Sequence, residues 1–543
     1  MSAASRVAAG RDERLELVVI GPPTANGDLH VGHVAGPCAG ADVRVRYLRA
    51  AGRPVVFASG VDDSQTFVVT AAARLGTTPA ELAATSWHQI KGTFEAMAIG
   101  LDGFAPNDDA YRALVYRYVG GLYDLGKFRT RTVPLPYSER TGKFLVEGLV
   151  GGDCPTCLAD SRGGFCEACG HPIDFGALIE PYSIMDRTDK VTFRDCEILV
   201  FPVEEYREQL IAYYAARETR MRPHPIALMR ELLARPLPDY PVTYPVDWGL
   251  PAPFPETPGQ RINAWLEGMP ASMYDISFAQ RQLGLDPPAD DDAWRAEHGN
   301  RLVVFMGFDP LWVWGVVHVA ELMAHEGRYV LPDNLLCNEF CDLENEKFST
   351  SKGHVVWARD LVAEVPRDVV RFYVCLTAPE HARTNFSRAA LDKVAAQRLV
   401  DPWNDLVTAL TKLTAEVGDG PLPVSAQTPA MAAAMVTRFG LCFELATFSL
   451  SRASELIAQN VERLRAHAQR ALAQDLDADT LRVRLGDLFL QVRALVCCAA
   501  PVLVDLAAEA ATAGGFELRA SAAAFEVTRT AAFAVPRLSM RAR

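Results

Sequence analysis

The N-terminal stretch constrains the fold more than any other part of the chain. Leu15 to Ile20 is a short Val/Ile-rich apolar run stopped by Gly21, Pro22 and Pro23. A helical pattern follows over about 31–51, and Pro54 to Ala58 is a second apolar run closed by Ser59 and Gly60. Strand, loop, helix, strand is the order that produces a parallel, doubly wound α/β sheet. Residues 64–127 read mostly as helix. Gly, Pro and Cys then cluster between 133 and 172, too loop-rich to build an ordinary core, and Tyr206 to Leu233 reads as two helical pieces broken at Pro223 and Pro225. Strand character returns at Pro241 to Tyr244, Arg301 to Met306 and Asn334 to Cys341, runs expected to complete the sheet. From about Ala389 to Leu506 the chain is Ala/Leu-rich and helical, with a break at Gly418 to Pro429, which predicts a helix bundle.

The formal net charge is −13, which argues against a general nucleic-acid binder and leaves room for RNA only on a local patch. No DNA partner is expected. Met1 to Arg14 lacks the apolar segment of a signal peptide, and no apolar run reaches membrane-spanning length. Four of the twelve cysteines form one tight cluster and the others are scattered, a pattern expected of a reducing cytoplasm with one metal site.

Three segments carry chemistry. Gly27 and Gly32 lie where the first strand passes into the first helix and let backbone approach closely. A helix N-terminus there presents free N–H groups to an anion. His30 and His33, three apart, share a helix face and could stabilise charge on a transferring phosphate. The second segment, Lys347-Phe348-Ser349-Thr350-Ser351-Lys352-Gly353, is a cationic turn able to neutralise a leaving pyrophosphate, although alone it reads equally as a solvated loop. The third places Cys154, Cys157, Cys166 and Cys169 at zinc-ribbon spacing. Four thiolates close a tetrahedral Zn2+ site with no open position, so the ion is expected to be structural.

Pro23-x-Ala25-Asn26-Gly27-x-Leu29-His30-x-Gly32-His33 resembles the HIGH signature of class I aminoacyl-tRNA synthetases, in the form found in the methionyl branch. Lys347 to Lys352 resembles the KMSKS loop of the same family, and the cysteine knuckle has a similar counterpart between the halves of the sheet. The resemblance implies an α/β protein with a Rossmann-type doubly wound parallel sheet, a zinc-knuckle insertion and a C-terminal α-helical bundle. It divides the chain into 1–127 and 236–345 as the halves of the catalytic domain, 128–235 as the insertion, 346–395 as the loop and stem-contact region and 396–543 as an anticodon-binding-like bundle.

The resemblance implies catalysis by His30, His33, Lys347 and Lys352, and binding of ATP with its Mg2+ by Gly27, Gly32, Gly307, Asp309, Ser349 and Ser351. It implies an amino-acid site formed by Asp63, which would hold the α-ammonium, with Thr24, Trp265 and Trp314. Taken alone, Asp62 and Asp63 could equally cap a helix and Trp265 could be plain core. Met273 and Tyr274 lie near an expected pocket tyrosine, and Asp247 to Pro251 matches another family segment. Several positions depart from the family. Thr350 and Phe308 stand where lysine is usual, Trp314 where histidine is usual and Thr24 where a tyrosine is common. Asn and Arg are missing at Thr408 to Lys412, and no tryptophan follows Trp403, so the features that read an anticodon are degraded. Three functions follow: a methionyl-type tRNA ligase, a paralog that passes the activated amino acid to a non-tRNA acceptor, or an inactive RNA-binding or amino-acid-sensing relative.

Overall fold

The computed structural model describes residues 14–348, 353–418, 420–519 and 521–542. Along the chain run β1 (Glu16–Ile20), α1 (Ala39–Ala50), β2 (Val55–Ser59), α2 (Thr66–Leu75), β3 (Gly103–Phe104), β4 (Arg129–Ser138), β5 (Val191–Phe201), α3 (Gly268–Gln282), β6 (Arg301–Gly307), α4 (His318–Ala324), β7 (Pro332–Asn338), α5 (Arg367–Leu376), α6 (Asp401–Val417), α7 (Thr428–Phe443), α8 (Leu450–Ala473) and α9 (Ala478–Ala499). They form two compact units. One comprises the described part of Met1–Asp28 with Val55–Gly92 and Leu101–Glu339; the other comprises Leu29–Pro54, Thr93–Gly100 and the described part of Phe340–Arg543.

The first unit is built on a five-stranded sheet in the order β7-β6-β1-β2-β3, every neighbouring pair parallel. β1 and β2 are buried along their whole length, which is why they read as unbroken apolar runs rather than alternating ones. The strand order reverses between β1 and β6. In an open parallel sheet ligands bind outside the carboxyl ends of the strands at such a switch point. Here that edge is formed by Gly21, after β1, and Gly307, at the end of β6; the Gly21 N–H donates to the Phe305 carbonyl across it at 3.1 Å.

The expectation that Pro241 to Tyr244 completes this sheet is overturned. Tyr240–Pro241 pairs with β5, and Thr243–Tyr244 pairs with Arg261–Ile262. A short apolar run is equally good strand material in any sheet, and its partner decides. β4 and β5 form an antiparallel pair across the insertion, in register from Arg129 opposite Val200 to Ser138 opposite Val191. Val146, Val150, Ile173, Ile198 and the buried thiols of Cys154 and Cys166 share a small apolar cluster there. Pro223 begins the helix Pro223–Leu233, where a missing N–H costs nothing, and Pro225 sits within its first turns.

In the second unit α6, α7, α8 and α9 form the helix bundle that the sequence predicts, and α1 is fastened to it by buried charge. Arg371 of α5, wholly buried, reaches Asp42 of α1 at 2.6 Å and donates to the carbonyls of Pro501 and Val502. Burial alone would raise the Asp42 carboxyl, but Arg371 and Arg46 outweigh it and hold it below the usual range. Arg44 donates to the Phe443 carbonyl at 2.7 Å, and Arg53 pairs with Glu444 at 2.8 Å. α9 is capped by Asp477, whose carboxylate accepts from the Thr480 N–H at 2.9 Å and its hydroxyl at 2.7 Å. Asp477→Ala removes this N-cap and is expected to lower the urea midpoint of unfolding slightly, while Asp477→Asn, which keeps an acceptor, leaves it nearly unchanged. Among the described residues no helix is long and apolar enough to cross a membrane.

Candidate active site

The histidine pair sits on a single turn, Val31–His33, ahead of a wide turn over Val34–Cys38 that contains Pro37. His30 caps the turn. Its Nδ1 accepts from the Gly32 N–H at 3.1 Å, while His33 Nδ1 accepts from the His30 N–H at 3.2 Å. This reciprocal cap has a chemical consequence. Each Nδ1 is committed as an acceptor, so in both neutral rings the proton lies on Nε2, where it is available to a phosphate oxygen. The rings stack at 3.8 Å. A Cβ at Gly32 would stand 3.0 Å from the His30 ring and press on it.

Burial, with the neighbouring His33 adding to it, pushes His30 well below its ordinary value; burial pushes His33 down to about 4. His30 is half-buried and His33 reaches solvent. Both imidazoles are neutral at pH 7.

The cationic loop is attached to this turn at both ends. Phe348, adjoining Lys347, stacks on His30 at 4.3 Å with the rings 3° from parallel. Beyond the loop, the Val31 N–H donates to the Val356 carbonyl at 3.0 Å, Trp357 bridges to His30, and the Ala358 N–H donates to the Leu29 carbonyl at 3.1 Å. Lys347 is exposed. Ser349, Thr350, Ser351 and Lys352 lie outside the described residues.

On the sheet side, Gly27 holds φ +155° with open space where a side chain would stand. Thr24, partly buried, is tied into a polar chain. Its hydroxyl donates to Gln65 Oε1 at 2.9 Å, and Gln65 Nε2 donates to Asp62 at 2.6 Å. The Asp63 carbonyl accepts from Trp248 Nε1 at 2.8 Å, which gives the Asp247 to Pro251 segment a holding role. Burial raises Asp62 well above the carboxylate range, with Glu267 and Asp63 adding to it, and raises Asp63 despite Asn107 and Arg112. Burial pushes Glu267 up to about 8 against the hydrogen bond it accepts from Tyr111 at 2.6 Å. The result is a concentration of carboxyls that would welcome a cation.

Trp265 is half-buried and meets Phe165 of the cysteine knuckle edge-on at 5.0 Å. Trp314 lies in the wide turn Trp312–Val317, its ring 3.5 Å from the Cβ position of Gly21. A Cβ at Gly307 would lie 2.7 Å from the Asp309 carboxylate, so that side chain folds over the strand end. Phe308 points away, buried against His224 at 4.3 Å and near Gly170 of the knuckle. Where the family places a lysine, this chain has structural core. Tyr274 is likewise engaged elsewhere, donating to Asp108 at 2.7 Å.

The four knuckle sulfurs lie within 4.8 Å of one another, with Cys154 and Cys169 at 3.9 Å and Cys157 and Cys166 at 3.6 Å. A tetrahedral ion with bonds of about 2.3 Å needs sulfurs about 3.8 Å apart, so the four thiolates fit one Zn2+.

Reading by sequence missed Glu267, His318 and Glu321. The last two are polar residues three apart inside Leu311 to Ala324, where every other residue but Gly315 is apolar. That pattern was the available signal.

An open parallel sheet whose switch-point edge carries glycines is the frame of a nucleotide-binding type of α/β protein. The chain belongs to the class I tRNA synthetases: the family described as tRNA synthetases class I (M) matches residues 16–410. Methionine–tRNA ligase of Roseiflexus sp. strain RS-1 is 31% identical over 408 residues, 73% of this chain and 68% of that protein. The enzyme of the same name from Porphyromonas gingivalis is 29% identical over 76% of this chain and 60% of its own length. The chain thus spans about three fifths of that relative. Mycobacterium tuberculosis methionyl-tRNA synthetase, solved in complex with methionyl-adenylate, shares the fold, with a TM-score of 0.75 at 20% identity over 97% of this chain and 99% of that one.

Proposed function

We propose that this chain is an ATP-dependent, AMP-forming ligase that activates methionine or a related amino acid as its adenylate and transfers the acyl group to tRNA. The observation that carries the reading is the attachment of both ends of the basic loop to the His30–His33 turn, through Phe348 on one side and Val356 to Ala358 on the other. On this reading each part has one task. The amino-acid carboxylate attacks the α-phosphate, pyrophosphate leaves, and the charge on the departing oxygens is met by the two Nε2–H groups with Lys347 and Lys352. Gly27, Gly32, Gly307, Asp309, Ser349 and Ser351 would hold ATP with its Mg2+. Asp63, within the carboxyl cluster, would hold the α-ammonium, with Thr24, Trp265 and Trp314 around the rest of the amino acid. Zn2+ at the four cysteines would be structural. On this reading 1–127 and 236–345 are the catalytic halves, 128–235 the insertion, 346–395 the loop region and 396–543 the bundle. The twelve cysteines are all free thiols, which suits the cytoplasm. Incubation with α-labelled ATP and the amino acid it accepts, sought among methionine and residues of similar length, is expected to yield AMP and pyrophosphate; ADP with phosphate would sink the proposal.

A second reading, transfer to an acceptor other than tRNA, is not favoured by the relatives and would rest on the bundle alone. Thr408 lies where the family reads an anticodon. Its hydroxyl already donates to the Asn404 carbonyl at 2.8 Å and accepts from Arg537 at 2.9 Å. Asn404 and Trp403 are likewise bonded to the 536–538 backbone. Charging of total tRNA at a rate matching activation would dismiss this reading.

The two ligands are expected to move protons in opposite directions. Phosphate charge raises the depressed imidazoles, so ATP takes up protons at pH 6–7. An α-ammonium lowers the raised carboxyls, so the amino acid releases them at pH 7–8. Calorimetry in two buffers of different ionisation enthalpy reads both signs. Without ligand the histidines bind fewer protons folded than unfolded. Their contribution to stability is complete above about pH 6.5 and is lost as pH falls towards 4.

A further inference from the structure

The carboxyl edge of the sheet holds a polar device that the proposed chemistry leaves unused. His318 and Glu321, both wholly buried, are joined at 3.0 Å from Nδ1 to Oε2. The other ends of both groups, His318 Nε2 and Glu321 Oε1, have no hydrogen-bond partner among the described residues. Native interiors seldom leave such atoms unpaired, because burying one without a partner is costly. The position of the orphan nitrogen is informative. Trp314 meets His318 edge to face at 5.0 Å. The Trp314 ring occupies the space a side chain at Gly21 would need, and His318 Nε2 lies 2.7 Å from where a Cβ of Gly268 would stand. Gly21 follows β1 at the switch-point edge, and Gly268 begins α3 three residues after Trp265. Two glycines thus let the Trp314 ring and the His318 imidazole pack close against backbone at this edge, and the buried Nε2 is left there without a partner.

We propose that His318, oriented by Glu321, is a specificity-determining residue of the amino-acid site, and that the site takes an amino acid whose side chain ends in a hydroxyl or amide. Such a tip both donates and accepts, so it satisfies Nε2 whichever ring nitrogen carries the proton. A hydrocarbon tip leaves Nε2 unpaired. Sites built to hydrogen-bond a substrate group reject analogues that lack it far more strongly than apolar pockets reject an extra atom. The inference rests on the reading of Trp265 and Trp314 as amino-acid-site residues and deepens the proposed function.

The test is amino-acid-dependent pyrophosphate exchange with a series of similar length: norleucine, methionine, 5-hydroxynorvaline and glutamine. At least one polar-tipped member is expected to exceed norleucine in kcat/KM by about a hundredfold or more. His318→Leu combined with Glu321→Leu removes both polar partners together, so no buried charge is stranded, and is expected to reverse the order in favour of norleucine. If that variant does not fold, His318→Gln, which moves the polar atom without removing it, is expected to cut the preference at least tenfold. Norleucine or methionine used better than both polar members, or an order unchanged in the variants, overturns the proposal. If no amino acid supports exchange, the activation reading fails separately, and thermal shift with the same four amino acids becomes the readout. Larger stabilisation by a polar-tipped member, lost in the variant, upholds the role of His318; equal shifts or none overturn it.

Discussion

His33→Ala is expected to lower amino-acid-dependent pyrophosphate exchange by about a hundred- to a thousandfold, the usual effect of removing one donor aimed at developing charge. The reason lies in the cap geometry. His33 Nδ1 is held by the His30 N–H, so the ring cannot rotate freely, and its Nε2–H points in a fixed direction before ATP arrives. The loss should fall on kcat, because a neutral donor contributes more as charge builds on the leaving oxygens than it does to bound ATP. Stability should change little: one hydrogen bond at the surface is lost, about 1 kcal/mol. His33→Asn keeps an N–H donor near the same place and should recover part of the rate. His30→Ala should behave alike in rate but cost more stability, since it also removes the cap on the Gly32 N–H and the surface on which Phe348 stacks. Exchange unaffected by His33→Ala would mean that the turn is structural.

Removing the metal from the knuckle is expected to have the largest effect on stability. Cys154 and Cys166 are part of the small apolar cluster of the insertion, so the ion and that core form together. Structural zinc in small domains binds with an apparent ~10–16 kcal/mol at pH 7, most of which appears as folding energy. Purified chain should carry one zinc. Cys157→Ser or exhaustive chelation should unfold the insertion at a markedly lower temperature while the bundle persists, giving two transitions where there was one. Catalysis should suffer as well. Phe165, between the two cysteine pairs, holds Trp265 edge-on, so loosening the knuckle frees a wall assigned to the amino-acid site. Raised KM for the amino acid and altered tryptophan fluorescence are the expected signs. A chain purified without metal that unfolds at the same temperature after chelation would contradict the assignment.

What could be read from the sequence followed burial and spacing. β1, β2 and β6 were legible because strands buried on both faces are written as continuous apolar runs ended by Gly, Pro or Ser. The knuckle was legible because metal chemistry dictates residue type and spacing together. Pro241 to Tyr244 was misplaced because nothing local encodes which sheet a short strand joins. β3, only two residues long, left no periodic trace. The β4–β5 pair had no counterpart in the sequence reading: the end of β4 falls in the loop-rich run from 133, where Pro134 and Pro136 nonetheless stand opposite Asp195 and Phe193 of β5. The histidine turn was legible in residue type, but the reciprocal cap that points both Nε2 atoms outward is a matter of three-dimensional geometry. Phe308 shows the converse. It could be read from the sequence only as a departure from the usual lysine, and its packing against His224 is visible only in the structure. His318 was passed over although Glu321 three residues on marked it, because a histidine in an apolar helix reads as core until its unpaired nitrogen is seen.

The central claim is that the His30–His33 turn and the loop attached to it carry out adenylate formation. The most direct test is isotope exchange between pyrophosphate and ATP across the standard amino acids and close analogues of methionine. The account predicts exchange that depends strictly on one amino acid or a narrow group of them and falls by about a hundredfold or more in His33→Ala. No exchange with any amino acid, by metal-loaded and folded protein, would contradict it.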